Sequence, residues 1–182
     1  MTSEEILQRV KSHRGESILQ AEVALGDAVI HVGPDALHDT VKFLKDDPEL
    51  SFDYLSHITG VDYLEQERDL RFESVYEFHS IAKNHSIRVR VALPEEKPAV
   101  PTISDLWPSA VFPERELFDM FGFHIEGLAN LKRLLMPEEW EGHPLRKDYD
   151  LNWEDVAFTY NIDTKRELVK EKTLSRYKPG QD

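Results

Sequence analysis

Cysteine is absent from all 182 residues. No disulfide can form, and no thiolate is available to an iron–sulfur cluster or a zinc ribbon. Missing too is any apolar run near the roughly 20 residues that a membrane-spanning helix requires. The N-terminal "MTSEEILQRVKSH" has acidic residues where a secretory signal carries basic ones. The expectation is a chain that sits in the cytoplasm or is held at a membrane by a partner. Basic charge is scarce: 22 Lys and Arg stand against 35 Asp and Glu, a net charge of −13. Neutralising phosphates needs a basic surface, so nucleic acid is not an expected partner. No G-x-G-x-x-G, P-loop, G-x-S-x-G or H-E-x-x-H occurs, which removes the commonest signatures of dinucleotide, nucleotide, acyl and zinc chemistry.

What is present suits one folded domain with an appendage. Hydrophobic residues make up 40% of the chain, enough for a core. Thr2 followed by Glu5 reads as a capping box, and Ile6, Leu7 and Val10 fall at helical spacing, giving a first helix over about residues 3–13. Leu19, Ala21, Val23 and Leu25 alternate as the inner face of a strand, and a Gly26-Asp27 connection leads to a second strand with Ala28, Ile30 and Val32 inward. Pro34 opens a helix whose buried side is Leu37, Val41 and Leu44. "LSFDYLSHITGVDY" reads as a strand with a bulge or break at Gly60. "DLRFESVYEFHS" and "HSIRVRVAL" alternate strongly. Paired as a hairpin, they set Glu73 or Glu77 against Arg88 or Arg90 on a solvated face. This order predicts an α+β fold: a two-layer domain with a mixed sheet of about five strands and two helices on one face.

Prolines then break every period in "PEEKPAVPTISDLWPSAVFP", which reads as a connector. Pro113 begins a short helix over 113–121. The domain is expected to span residues 1–125. Residues 126–182 form an extended C-terminal arm without regular periodicity. Its many apolar residues, among them Leu134, Leu135, Trp140, Trp153, Phe158 and Tyr160, predict burial on a partner protein. Truncation after Gly127 is expected to leave a folded domain unable to join that partner.

The densest chemistry is "ERELFDMFGFHIEG". Glu114, Glu116 and His124 could serve as the acid–base groups of a hydrolase. Spacing offers another reading: Glu114 and Glu116 favour the positive end of the helix, Arg115 and Asp119 form an i, i+4 pair, Leu117, Met120 and Phe121 make an apolar stripe, and Gly122 ends the helix. Eight histidines raise a metal reading that no ligand spacing supports; His79 and His85 could meet at a hairpin end. Arg146, Lys147 and Asp148 read as an interfacial charge set rather than a phosphate site.

"WPSAVFPERELFDMFGFHIEG" with "LKRLLMPEEWEGHPLRKDYDL" resembles the signature of the 30-kDa subunit of respiratory complex I, the NADH–quinone oxidoreductase. The matching residues are Glu114, Arg115, Glu116, Asp119, Phe121, Gly122 and Arg133, then Pro144, Leu145, Arg146, Lys147, Asp148 and Tyr149. "YLSHITGVDY" and "RFESVYEFHS" extend the likeness. The resemblance implies a non-catalytic subunit of a proton-translocating NADH–quinone oxidoreductase, with those residues at a subunit interface. It implies no cofactor or metal in this chain, and FMN and iron–sulfur clusters in partner subunits. It further implies docking on the 49-kDa quinone-site subunit, peripherally, on the cytoplasmic side of the inner membrane. The equivalent subunit of an energy-converting hydrogenase, or of a complex with another electron donor, is the next reading. A generic binding module is a third.

Overall fold

Residues 1–150 are described by the computed structural model. Helix α1 (Ser3–Arg14) opens with the expected capping box: the Thr2 hydroxyl accepts the Glu5 N–H at 3.3 Å and the Glu5 carboxylate accepts the Thr2 N–H at 2.9 Å, a device worth about 1 kcal/mol. Strands β1 (Ile18–Ala24) and β2 (Asp27–Val32) follow, then α2 (Pro34–Asp46), β3 (Tyr54–Asp62), β4 (Phe72–Ser80) and β5 (His85–Leu93). The five strands lie in the order β1-β2-β5-β4-β3. Only the β2–β5 contact is parallel, so the sheet is mixed. Ile6, Leu7 and Val10 of α1 and Leu37, Val41 and Leu44 of α2 join Ile30, Tyr76, Phe78 and Val89 in a single apolar cluster. The α+β architecture is thus as the periodicities require.

Three details differ. Strand β1 lies at the sheet edge, and a register shift between Ile18 and Gln20 takes Leu19 out of the alternation, so Leu19 is 75% exposed. Ala21 and Val23 do share the inner face with Ile30 and Ala28, their partners on β2, but α1 covers them incompletely and Val23 stays 40% exposed. The hairpin connection is Leu25-Gly26, not Gly26-Asp27: Ala24 pairs with Asp27, and φ is +53° at Leu25 and +97° at Gly26, as a two-residue turn of primed type demands. Gly60 is neither bulge nor break. It pairs regularly with Ser74, while the irregularity falls between Leu55 and His57. Its lack of a side chain serves another purpose: a Cβ there would lie 2.7 Å from the Phe121 ring.

On β4 and β5 the expected charge pairs form, Glu77 with Arg88 and Glu73 with Arg90. Glu73 is nevertheless only 2% exposed, because Arg68 and Arg90 converge on its carboxylate from two sides. That part of the face is covered by long side chains and is not freely solvated.

The proline-rich connector contributes to the core. Val100, Ile103 and Trp107 are buried, and the short strand β6 (Ala99–Pro101) pairs in parallel with β7 (His124–Glu126). Between them lie α3 (Val111–Glu116) and a π-helical turn, Leu117–Phe121. By its contacts the chain divides after Lys147 into a first unit, Met1–Lys147, and the remainder. Residues 126–147, which sequence assigned to the arm, belong to the first. The expected anchors Trp153, Phe158 and Tyr160 lie outside the described residues.

Candidate functional site: the junction helix and its strap

The helix begins at Val111, two residues before Pro113, and ends at Gly122 with φ +73°. Its carboxylates do not form a common polar side. Glu114 is fully buried: Oε1 accepts the Ile103 N–H at 2.8 Å and Oε2 the Thr102 hydroxyl at 2.6 Å. Burial pushes its pKa up, against those two hydrogen bonds. Glu116 and His124 are exposed. The three residues considered for a hydrolase therefore sit in two different environments.

Asp119 is buried as completely as Glu114, yet it titrates in the opposite direction. Its Oδ2 accepts the N–H groups of Leu134, Leu135 and Met136 at 2.9, 2.7 and 2.9 Å, and its Oδ1 accepts Arg133 Nη1 at 2.8 Å. Burial opposes ionisation, but these four donors outweigh it and hold the pKa below the ordinary aspartate value. The expected Arg115–Asp119 pair is not formed. Arg115 donates instead to the carbonyls of Lys132 and Arg133 at 3.0 and 2.8 Å. The π-helical turn accounts for this, since it adds about one residue per turn and moves Asp119 off the i, i+4 row.

The chain from residue 131 to 147 crosses back over the helix as a strap and caps its C-terminal end. Helix-end carbonyls have no partner within the helix, and the strap supplies one for each of three in succession. His143 Nδ1 donates to Asp119 O at 2.9 Å, the Leu145 N–H to Met120 O at 3.0 Å, and Arg146 Nε to Phe121 O at 2.6 Å. Burial lowers the His143 pKa, so the ring is neutral near pH 7 with its proton on Nδ1, the nitrogen facing a carbonyl. Gly122 lies directly under this cap: a Cβ would meet His143 Nε2 at 2.5 Å and Arg146 Nη2 at 2.7 Å.

The strap ends on the sheet. The Lys147 N–H donates to Asp62 Oδ2 at 2.8 Å, and the same carboxylate takes both Arg71 Nε at 3.0 Å and Nη2 at 2.9 Å, plus the Leu64 N–H. Burial works against ionisation of Asp62, but the Arg71 fork and the N–H donors hold its pKa down to about 2. Arg146 lies over the Phe72 ring at 5.0 Å, with Arg71 over the same ring at 4.7 Å. Among the signature residues, Pro144 is half-buried, Leu145 is exposed, and Asp148 and Tyr149 lie beyond the first unit. Among the described residues no group of His, Asp and Glu could hold a metal ion.

The family described as the respiratory-chain NADH dehydrogenase 30-kDa subunit matches residues 30–155, a span that includes the helix, the strap and both carboxylate anchors. The chain belongs to that family. An NADH-quinone oxidoreductase subunit of Roseiflexus castenholzii is 46% identical to this 30-kDa-family chain over 158 residues, covering 87% of this chain and 90% of the relative. The protein of the same description from Herpetosiphon aurantiacus is 44% identical over 138 residues, covering 76% and 80%. A solved structure of a trypsin-resistant fragment of Nqo5 superposes with a TM-score of 0.62 at 33% identity, covering 72% of this chain and all of the fragment. An archaeal membrane-bound sulfane sulfur reductase shares the fold, with a TM-score of 0.70 at 23% identity, over 98% and 96% of the two chains. The 30-kDa-family chain has no helix among its described residues long and apolar enough to cross a membrane.

Within Met1–Lys147, signature residues far apart in sequence are bonded together: Asp119 with Arg133, and Phe121 with Arg146. Asp62, Arg71 and Gly60 complete the arrangement, and sequence reasoning did not single out the first two. Their only signal was position: Asp62 ends an apolar strand and Arg71 precedes the next, where a cross-strand pair can close a loop.

Proposed function

We propose that this chain is a cofactor-free structural and assembly subunit of a proton-translocating NADH–quinone oxidoreductase. It docks on the 49-kDa quinone-site subunit through the segment that follows the strap. FMN and iron–sulfur clusters reside in partner subunits, and the complex holds this chain peripherally on the cytoplasmic side of the membrane. The observation that carries the reading is the use made of Glu114 and Asp119: both carboxylates are buried and bonded to backbone N–H groups or fixed side chains. Such groups stabilise one geometry and present no lone pair to a substrate. The zero cysteine count supports the cofactor-free role, and the bond from Lys147 to Asp62 gives the docking segment a fixed point of departure.

The test is complementation of a strain lacking this chain with the full sequence and with a version ending at Lys147. The full chain is expected to restore an NADH–quinone oxidoreductase that contains it in equal amount with the 49-kDa-type subunit. The short version should fold yet fail to incorporate. Incorporation of the short version sinks the docking role of the tail. A purified assembly that oxidises a donor other than NADH sinks the assignment to this complex in favour of a hydrogenase-type relative. Turnover by the isolated chain, lost on Glu116→Gln without loss of fold, revives the hydrolase.

A further inference from the structure

Strand β1 is an outer strand of the five-stranded sheet, and among the described residues no strand pairs with its free edge, where the one bond is a long one from Lys11 Nζ to Ala21 O at 3.4 Å. Edge strands of soluble proteins usually carry lysine, proline or covering segments. This one exposes Leu19 and Val23, and its hairpin tip exposes Leu25 completely. Leu25 is doubly anomalous. Its φ of +53° belongs to the left-handed region, where asparagine or glycine is favoured and a leucine is strained. A bulky apolar residue kept in that conformation and in water points to a contact made elsewhere. Beside the edge, between α1 and β1, runs a groove of about 440 Å³ with Leu7, Ala21 and Val23 in its floor and Glu4, Lys11 and Glu22 on its rim.

We infer that β1 is a strand-addition site for an extended segment of another subunit, with apolar residues alternating with basic ones. An added strand would satisfy the open backbone edge and set every second side chain into the groove. The intervening side chains would lie on the face that carries Gln20 and Glu22, next to the Glu22 carboxylate. Basic residues fit there: Glu4 and Glu22 outnumber Lys11 on the rim, and the whole chain carries −13. The same net charge opposes a second copy of this chain as the occupant, since two such copies repel. This inference rests on the reading of the chain as a subunit of a larger complex.

The absence of cysteine makes the test clean, because Leu19→Cys or Leu25→Cys introduces the sole thiol of the chain. The isolated full-length variants are expected to react with a maleimide at the rate of an exposed thiol, and to slow at least about tenfold in the purified complex. Asp35→Cys, on α2, serves as the site remote from β1. Amide hydrogen exchange of residues 20–23 should slow on assembly, which side-chain docking alone would not cause. Leu25→Asn relieves the backbone strain, so the isolated chain should melt no lower than the parent. It should compete about tenfold less well for incorporation, as loss of one buried apolar anchor requires. Glu22→Lys should weaken incorporation in the same assay. Equal thiol reactivity in the free and assembled states overturns the inference while leaving the chain in the complex. Protection already present in the isolated chain overturns it in favour of a second copy or the chain's own tail. Absence of the chain from the complex overturns this inference and the proposed function together.

Discussion

The Asp119 carboxylate and the backbone N–H of Leu135, sixteen residues later, are 2.7 Å apart, the shortest of three N–H bonds that converge on one carboxylate oxygen and bind the strap to the junction helix. One side chain thus orders a loop that has no regular structure of its own.

Replacing that side chain should be the most damaging change at the junction. Asp119→Ala leaves Arg133 and three N–H groups without their acceptor in a buried place, so a loss of about 3–5 kcal/mol is expected. Asp119→Asn keeps an acceptor and should cost less. Glu116→Gln, at an exposed position, should stay within about 0.5 kcal/mol of the parent. Urea unfolding of the three variants ranks them, and a Glu116 effect as large as that of Asp119 would contradict the assignment.

Truncation separates two boundaries. A chain ending at Lys147 keeps the strap's bonds to Asp119, Met120, Phe121 and Asp62 and should unfold cooperatively near the melting temperature of the parent. A chain ending at Gly127 removes all donors to Asp119 and the caps on residues 119–121. It should be less stable by several kcal/mol, about the cost of an unpaired buried carboxylate. The sequence alone predicted that the earlier cut leaves the domain folded, though unable to join its partner. Calorimetry of both fragments decides.

Two glycines make room for aromatic and basic rings. Gly122→Ala places a methyl group against His143 and Arg146 at a positive φ, and should cost more than the 1 kcal/mol or so of backbone strain alone. Gly60→Ala meets the Phe121 ring. Its cost, about 1–3 kcal/mol by overpacking, should shrink when Phe121 is also changed to Leu. Additive losses in that double mutant cycle would mean the two residues are not in contact.

The pH dependence of stability follows from groups shifted in opposite directions. Asp62 and Asp119 have folded-state pKa values below their unfolded values. The Asp62 contribution is present above about pH 4 and is lost as pH falls towards 2, and that of Asp119 is lost as pH falls through its own lowered pKa. The Asp62 part is about 2 kcal/mol. Glu114 is raised, so it favours the fold at low pH and its contribution declines as pH rises from about 4 through its folded pKa. Glu114→Gln should therefore flatten the decline above pH 4 and leave the acid limb intact, whereas Asp62→Asn should remove part of the acid limb. Thermal melts from pH 2 to 8 show both limbs.

The helices and strands were legible because their signal is local. Leu37, Val41 and Leu44 repeat at the helical period, and Ile87, Val89, Val91 and Leu93 at the strand period, and all are buried. The edge of the sheet was not legible, since nothing in the sequence shows the register shift that takes Leu19 off the inner face or that α1 leaves Val23 partly uncovered. The junction was half legible. The apolar stripe Leu117 and Phe121 and the stop at Gly122 hold, but Asp119 was assigned to Arg115 by a rule that assumes an α-helical turn. The strap escaped because its bonds to the helix and sheet span 14 to 85 residues, most of them with a side chain on one end, and leave no period behind.

The capping of the junction helix by the strap also has a meaning during synthesis. Gly122 leaves the ribosome 25 residues before Lys147, a lag of about 1–5 s at ordinary elongation rates. Throughout that interval the carbonyls of Asp119, Met120 and Phe121 wait for His143, Leu145 and Arg146. The sheet can form while the helix end is still open, so the strap can close only afterwards, and the junction stays unfinished until Lys147 has reached Asp62.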